Sequence, residues 1–311
     1  MMNGILNVYK ESGYSSHDVV AILRKILKTK KIGHTGTLDP NAEGVLPVCI
    51  GQATKVSELL MEKDKTYQVE FELGFVTDTQ DIWGNVICES SVSATPEEVK
   101  AVANRFVGDI LQIPPMYSAI KQNGKKLYEL AREGIVLERK ARPVRIDSIE
   151  DFSCSGKNRY TMTVQCSKGT YIRTLCHDIG AALGCGARMT ALIRTKAGEF
   201  TLQTAKKLEE IKALQEKNEL CQEIISVEKA FRLPKLYVKE SFSKWLYAGN
   251  PIAQENIEFI AEGEEQKLFQ GKILYFVYDF RQDFIGIYYK EQNQYKVLKF
   301  LYQVSEDKNG H

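Results

Sequence analysis

The stretch Lys31-Ile32-Gly33-His34-Thr35-Gly36-Thr37-Leu38-Asp39-Pro40-Asn41-Ala42-Glu43-Gly44-Val45-Leu46-Pro47 constrains this chain more than any other. It holds three glycines, two prolines and a histidine, and it lies between segments of ordinary core periodicity. Pro40 biases Asp39 toward extended geometry. Gly33, Gly36 and Gly44 supply positive-φ turns or room for close backbone approach. The outcome predicted is a loop of fixed shape that presents the Asp39 carboxylate. Two uses stay open. The loop is a site carried by rigid flanks, or a long turn whose aspartate caps a neighbouring group.

The flanks read as follows. Residues 4–10 form a short strand. Ser15 or Ser16 caps a helix over 17–30, with Val19, Val20, Ile22, Leu23, Ile26 and Leu27 as its apolar face. Arg24, Lys25, Lys28, Lys30 and Lys31 crowd the end of that helix, where its dipole favours cations. They also form a positive rim beside the loop, either solvated or phosphate-binding. A strand over 45–50 and a helix over 52–61 follow. Lys65-Thr66-Tyr67 then opens an alternating strand to Leu73. In the turn 77–84, Asp78 and Asp81 are Asx-type turn makers or holders of basic groups near a site.

Thr95-Pro96-Glu97-Glu98 is a capping box that starts a helix to about residue 106. An extended run over 110–121 is broken by Pro114-Pro115, and a short helix covers 125–132. Around it lie Lys121, Lys125, Lys126, Arg132, Arg139, Lys140, Arg142 and Arg145, against Glu129, Glu133 and Glu138. Tyr117 and Tyr128 are interleaved. Such a segment suits a polyanion carrying bases, or is a solvated face. Strands over 144–153 and 159–166 lead into Ser167-Lys168-Gly169-Thr170-Tyr171-Ile172-Arg173 and a helix to about residue 183. Free N–H groups at a helix start attract anions. An arginine in that first turn opposes the dipole, so Arg173 is expected to be paired or functional. His177-Asp178 reads as helix surface. A strand covers 188–193, Thr204 caps a helix to about 215, and 216–234 reads as a boundary. Beyond it, glycines separate short β-like runs such as 272–278 and 284–289, which suggests a small β-barrel of about 75 residues.

With 43% hydrophobic residues among 311, the chain can bury a large core and a small one, so disorder is excluded. A net charge of +2 is too balanced to establish a nucleic-acid partner by itself. Seven scattered cysteines, none in a C-x-x-C pair, point to free thiols in a reducing cytoplasm, with no disulfide framework and no zinc site. The start Met1-Met2-Asn3-Gly4 has no signal-peptide pattern. No run approaches the ~18 apolar residues of a spanning helix, so no membrane partner is expected.

Taken in order, Gly33 to Pro47 resembles the G-H-x-G-x-L-D-P-x-A-x-G-x-L-P signature of the TruB family of pseudouridine synthases. Lys65-x-Tyr67, Thr77-Asp78-Thr79-x-Asp81-x-x-Gly84, Pro114-Pro115-x-Tyr117-Ser118-Ala119-x-Lys121 and Lys168-Gly169-Thr170-Tyr171-Ile172-Arg173 extend the resemblance from residue 4 to about 200. Glu11 stands where the family usually has a proline. The resemblance implies an α+β pseudouridine synthase fold with a mixed, mainly antiparallel sheet flanked by helices. It implies a catalytic domain at 1–230 with a thumb-like insertion at about 112–145, and a PUA-like RNA-binding β-barrel at 235–311. The implied activity is isomerisation of uridine 55 in the tRNA T loop to pseudouridine, without cofactor or metal. Asp39, Tyr67 and Arg173 would be the catalytic residues: Asp39 the catalytic aspartate, Arg173 its partner, and Tyr67 against the target base, serving in proton transfer. His34, Tyr171, Lys10, Leu192 and Asp81 would bind the flipped nucleotides, and Lys121, Lys125, Lys126, Arg132 and Arg142 would grip the T arm. A cytoplasmic monomer is implied.

The chemistry agrees with this. The glycosidic bond must break, the uracil rotate and C5 join C1′, and a carboxylate suits such a step as nucleophile or as partner to an oxocarbenium-like centre. The base must first leave its stack. The competing expectations are a catalytically silent tRNA-binding or tRNA-folding protein on the same scaffold, and the catalytic subunit of a guide-RNA particle. The presence of Asp39 speaks against the former. The thumb-like stretch and the lack of long charged tails speak against the latter.

Overall fold

The computed structural model describes residues 2–122, 124–261, 263 and 268–302. The chain opens with β1 (Gly4–Lys10), whose side chains are nearly all buried. Helix α1 (Ser16–Ile26) follows, started by a reciprocal Ser15–Asp18 capping box. It is shorter than the 17–30 span predicted: Leu27 caps it, and Lys28 takes a positive φ of 50°. Lys28, Lys30 and Lys31 therefore lie beyond the helix. Strands β2 (Ile32–His34) and β3 (Glu43–Ile50) flank the glycine-rich loop and pair with each other.

After a 3-10 turn and the short α2 (Ser57–Met61) comes β4 (Lys65–Leu73), with the alternating burial its sequence predicts. The hairpin β5 (Phe75–Thr77) and β6 (Val86–Glu89), helix α3 (Pro96–Asn104) and β7 (Gly108–Gln112) follow. The segment expected to be thumb-like contains β8 (Lys121–Gln122), β9 (Lys125–Lys126) and α4 (Leu127–Arg132). The helix starts two residues late because Lys125 and Lys126 pair with β8. The long β10 (Arg142–Gly156) and β11 (Arg159–Cys166) lead to α5 (Ile172–Ala182), then β12 (Ala187–Ala197) and β13 (Phe200–Thr201).

The main sheet runs β1-β3-β12-β4-β11-β10-β7, with β2 added on β3 and β13 on β12. All its pairs are antiparallel except β12 with β3. That parallel pair sets Arg194 beside Gly44. Helices α3 and α5 cover one core, through Val99, Val102, Leu175 and Ile179 against Val69, Phe71 and Val164. Helices α1 and α6 (Leu208–Glu216) cover a second, through Val19, Leu23, Leu208 and Ile211 against Leu6, Val8 and Val48. Burial of these apolar faces, at about 25 cal/mol per Å², is what fixes strand register.

Thr204 does not cap α6. Its hydroxyl instead accepts the Asn7 amide at 2.8 Å, and α6 starts at Leu208. The stretch 216–234, expected as a boundary, is structured: it contains α7 (Val227–Phe231), which buries Phe231 completely. Ile225 exchanges backbone hydrogen bonds with Ile5 at 2.8 and 2.9 Å.

The C-terminal part contains β14 (Lys235–Val238), α8 (Ser243–Tyr247), β15 (Ile252–Ala253), β16 (Ile257–Ala261), β17 (Leu268–Phe269), β18 (Lys272–Tyr278), β19 (Phe284–Glu291) and β20 (Gln294–Phe300). Its strands run β15-β20-β19-β18-β14-β16 in a nearly closed, barrel-like sheet. Its Phe276, Tyr278, Ile287 and Leu301 share one apolar cluster with Ile5, Val45, Val56 and Phe231. The α+β architecture with a small β-barrel-like end is thus as expected. The last residues of the 235–311 unit, 303–311, lie outside the described residues. No helix among the described residues is long and apolar enough to cross a membrane.

Candidate active site

The loop of residues 35–42 keeps its shape through bonds that its neighbours supply. Lys10, at the end of β1, is fully buried. Its ammonium donates to the carbonyls of Tyr14 at 2.6 Å, Pro40 at 2.9 Å and Glu11 at 3.1 Å. Burial lowers its pKa to about 8. Lys10 was expected to bind substrate; enclosed in this way, it is a pin for the loop. The Gly13 N–H also donates to the Pro40 carbonyl, at 3.0 Å. The turn where the family has proline is thus held without it, and Glu11 pairs instead with Lys207 at 3.4 Å. The Leu38 N–H donates to Ser16 Oγ at 2.9 Å, and Thr35 donates twice to the Pro47 carbonyl, at 3.0 and 3.1 Å. Gly36 and Gly44 have the positive φ predicted, 138° and 105°. A Cβ on Gly44 would sit 2.3 Å from the Arg194 carbonyl oxygen. Gly33 has no such role; it pairs with Cys49 in regular strand.

Across from the loop, the first turn of α5 brings Arg173 to Asp39, which lies 134 positions earlier. The start of α5 is fixed because the Gln112 amide clamps the Tyr171 backbone, accepting its N–H at 2.8 Å and donating to its carbonyl at 3.0 Å. Arg173 is only 5% exposed. Its Nη2 donates to Asp39 Oδ1 at 3.2 Å and to the Tyr117 carbonyl at 2.6 Å. Its Nη1 donates to the Thr79 carbonyl at 3.5 Å and lies 3.7 Å from Asp81 Oδ2. One planar guanidinium thus ties together the glycine-rich loop, the Tyr117 backbone and the 77–84 turn. The Asp39 side chain remains 38% exposed. Of the turn's two carboxylates, Asp81 fills both roles predicted, since it makes the Asx bond two residues on and also faces a basic group. Asp78 ties the two ends of the turn together, accepting from Asn85 N at 2.9 Å and Nδ2 at 3.0 Å. Asp81 accepts from Thr79 Oγ1 at 2.6 Å and Trp83 N at 3.1 Å while facing Arg173. Burial pushes the Asp81 carboxyl up, against the opposing pull of Thr79 and Arg173.

The floor of the site is β4 and β12. Tyr67 on β4 is buried, and burial raises its phenol pKa. Arg194 on β12 stands directly opposite it. Leu192, two residues before Arg194, is buried on the same side of the strand. His34 is half-buried; burial and the nearby Arg194 charge lower its pKa, so its imidazole is neutral at neutral pH. Its Nδ1 accepts the Gly36 N–H at a long 3.4 Å. Tyr171 is half-buried, and burial raises its phenol as well.

The chemistry of such a place is that of a fixed carboxylate beside a buried cation, on a loop held from both sides. Known proteins share the chain that builds it. Residues 24–172 match the TruB family pseudouridylate synthase N-terminal domain, and residues 173–232 match the tRNA pseudouridylate synthase B C-terminal domain. The chain belongs to the TruB family. A tRNA pseudouridine synthase B of Clostridium perfringens is 46% identical over 303 residues, covering 96% of this chain and 99% of that protein. The one from Lachnoclostridium phytofermentans is 49% identical over 310 residues, covering 96% and 100%. Among solved structures, a Cbf5-Nop10-Gar1 complex superposes with a TM-score of 0.73 at 27% identity, over 96% of this chain and 85% of that one. An H/ACA RNP bound to a substrate RNA containing 2'-deoxyuridine gives 0.71 at 25% identity, over 96% and 85%.

In this TruB family member the basic residues expected to bind RNA lie on the segment between β7 and β11. Lys121 and Arg142 are exposed. Lys126 Nζ donates to Tyr128 Oη at 3.2 Å, and Lys126 and Arg132 both lie over the Tyr128 ring, at 5.3 and 5.5 Å from its centroid. Lys125 meets Glu133 at 3.3 Å in a solvent-exposed pair, which contributes about 0–1 kcal/mol. Sequence reasoning missed the buried Arg194 and the Gln112 clamp. Arg194 did leave a signal: it sits two residues after Leu192 and so on the inward face of its strand, where a cation needs a reason.

Proposed function

We propose that this protein isomerises uridine to pseudouridine in tRNA, and that its target is uridine 55, presented by the T arm to a monomeric, cytoplasmic enzyme. The observation that carries this is the Asp39–Arg173 pair on the TruB signature loop. In the overall reaction the N1–C1′ bond breaks, the uracil turns, C5 joins C1′, N1 gains a proton and C5 loses one. Asp39 carries this chemistry, because it is the carboxylate that is both fixed and half-exposed. Arg173 holds it in place with opposite charge, and Asp81 steadies the arginine from behind. Tyr67, Tyr171 and Leu192 are the walls against which the flipped uracil packs, at the few-kcal/mol cost of unstacking it. His34, half-buried beside the loop, supports the displaced loop nucleotides.

The test is tritium release. An unmodified tRNA transcript carrying uracil tritiated at C5 is expected to lose its label to water when mixed with the pure protein. No release above blank, with tRNA binding intact, would favour the catalytically silent alternative.

The thumb supplies the grip. Lys126, Arg132 and Tyr128 form one cation–aromatic cluster on its surface, the chemistry that suits phosphates with bases between them. Reversing the charges at Lys125 and Lys126 is expected to weaken tRNA binding and to flatten the slope of log K against log salt by about 1 per lost phosphate contact. Filter binding across a salt series checks this, and an unchanged slope would place the T arm elsewhere.

A further inference from the structure

Arg194 is 1% exposed and is the bulkiest fully buried side chain among the described residues. A charged group in such a place is costly unless it does something an apolar residue cannot. Its contacts say what that is. Nε donates to the Val45 carbonyl at 2.7 Å and Nη2 to the Gly36 carbonyl at 3.1 Å. These two carbonyls lie on either side of Asp39 in the chain, so one rigid fork closes the catalytic loop from beneath. The same residue pairs through its backbone with Gly44 on one side and Tyr67 on the other. Across the β12–β4 pair its charge also opposes the rise that burial imposes on the Tyr67 phenol. Loop and Tyr67 have no neighbouring position in the sequence; Arg194 meets the loop through its guanidinium and Tyr67 through its place in the sheet.

We infer that Arg194 is a positioning residue that sets the Asp39 loop at a fixed separation from Tyr67 on the neighbouring strand. It is enclosed, so it acts through those two groups and not on substrate. Lysine could supply the charge but not two fixed N–H directions. This inference rests on the pseudouridine synthase function proposed above.

Single-turnover tritium release at saturating tRNA, together with tRNA filter binding, tests it on the full-length protein. Arg194→Ala and Arg194→Lys are each expected to lower the rate about a hundredfold, the effect of misplacing reacting groups by about 1 Å. Affinity for tRNA is expected to stay within about threefold. Added guanidinium, entering the space left in Arg194→Ala, is expected to restore about tenfold of the rate, and urea at the same concentration none of it. If circular dichroism shows Arg194→Ala unfolded, Arg194→Lys decides by the same rate and affinity. A folded variant within about threefold of wild-type rate, or one whose loss is confined to affinity, would overturn the inference alone. Absence of release from the wild type would overturn the synthase function and this inference with it.

Discussion

Asp39→Asn is expected to lower tritium release from C5-labelled tRNA by at least about 10³-fold, the scale set by removing a nucleophile. The two side chains have nearly the same shape, so the change removes charge and basicity and leaves the loop standing. The loop does not depend on the carboxylate. It is held by the Lys10 ammonium on the Pro40 carbonyl, by Ser16 on Leu38 and by Thr35 on Pro47. Arg173 would keep the Tyr117 carbonyl at 2.6 Å and Asp81 at 3.7 Å, so its charge stays partnered. Affinity for tRNA should therefore stay within about threefold, which separates this variant from a folding defect. Release undiminished in Asp39→Asn would move the chemistry to another group.

Much of this site could be seen in the chain alone, and what could be seen has a common cause. Gly36 and Gly44 announce themselves because no other residue fits their backbone. Arg173 announces itself because a cation in the first turn of a helix opposes its dipole, and the structure gives it two carboxylates. Each is a local conflict, and local conflicts are legible. Lys10 and Arg194 were harder. A lysine ending a strand looks like a surface residue, and only the fold shows three carbonyls converging on its ammonium. The α6 start was misplaced for a similar reason: Thr204 has the right chemistry for a cap, and a long-range bond from Asn7 claims it first. The 216–234 stretch reads as a boundary by Lys217, Asn218 and Pro234, yet Leu220, Val227, Ala230, Phe231 and Leu233 within it are buried. Long-range contacts of this kind leave no periodicity to read.

Replacing the arginine is the harsher change. Arg173→Gln is expected to reduce activity about as far as Asp39→Asn and to destabilise the fold as well. Removing one partner of a buried ion pair costs about 3–5 kcal/mol. The lower end applies here, because the Asp39 side chain is 38% exposed and can regain water. Asp81 cannot do so as easily, since its side chain is only 11% exposed. Burial already raises its pKa above the ordinary 3.8, and Arg173 is one of the groups that oppose that rise. Without the arginine the pKa climbs further, so the native state holds a proton that the unfolded chain releases. The native state then binds more protons than the unfolded one over the window above 3.8, and stability falls as pH rises through it. The deficit of Arg173→Gln against wild type should thus be small in acid and widen toward neutral pH, as measured by melting temperature across a pH series. Adding Asp81→Asn to Arg173→Gln removes the group that titrates and should flatten that widening while leaving the enzyme inactive. A deficit that is constant with pH would mean that Asp81 does not depend on Arg173 for its charge, and that the arginine serves Asp39 alone.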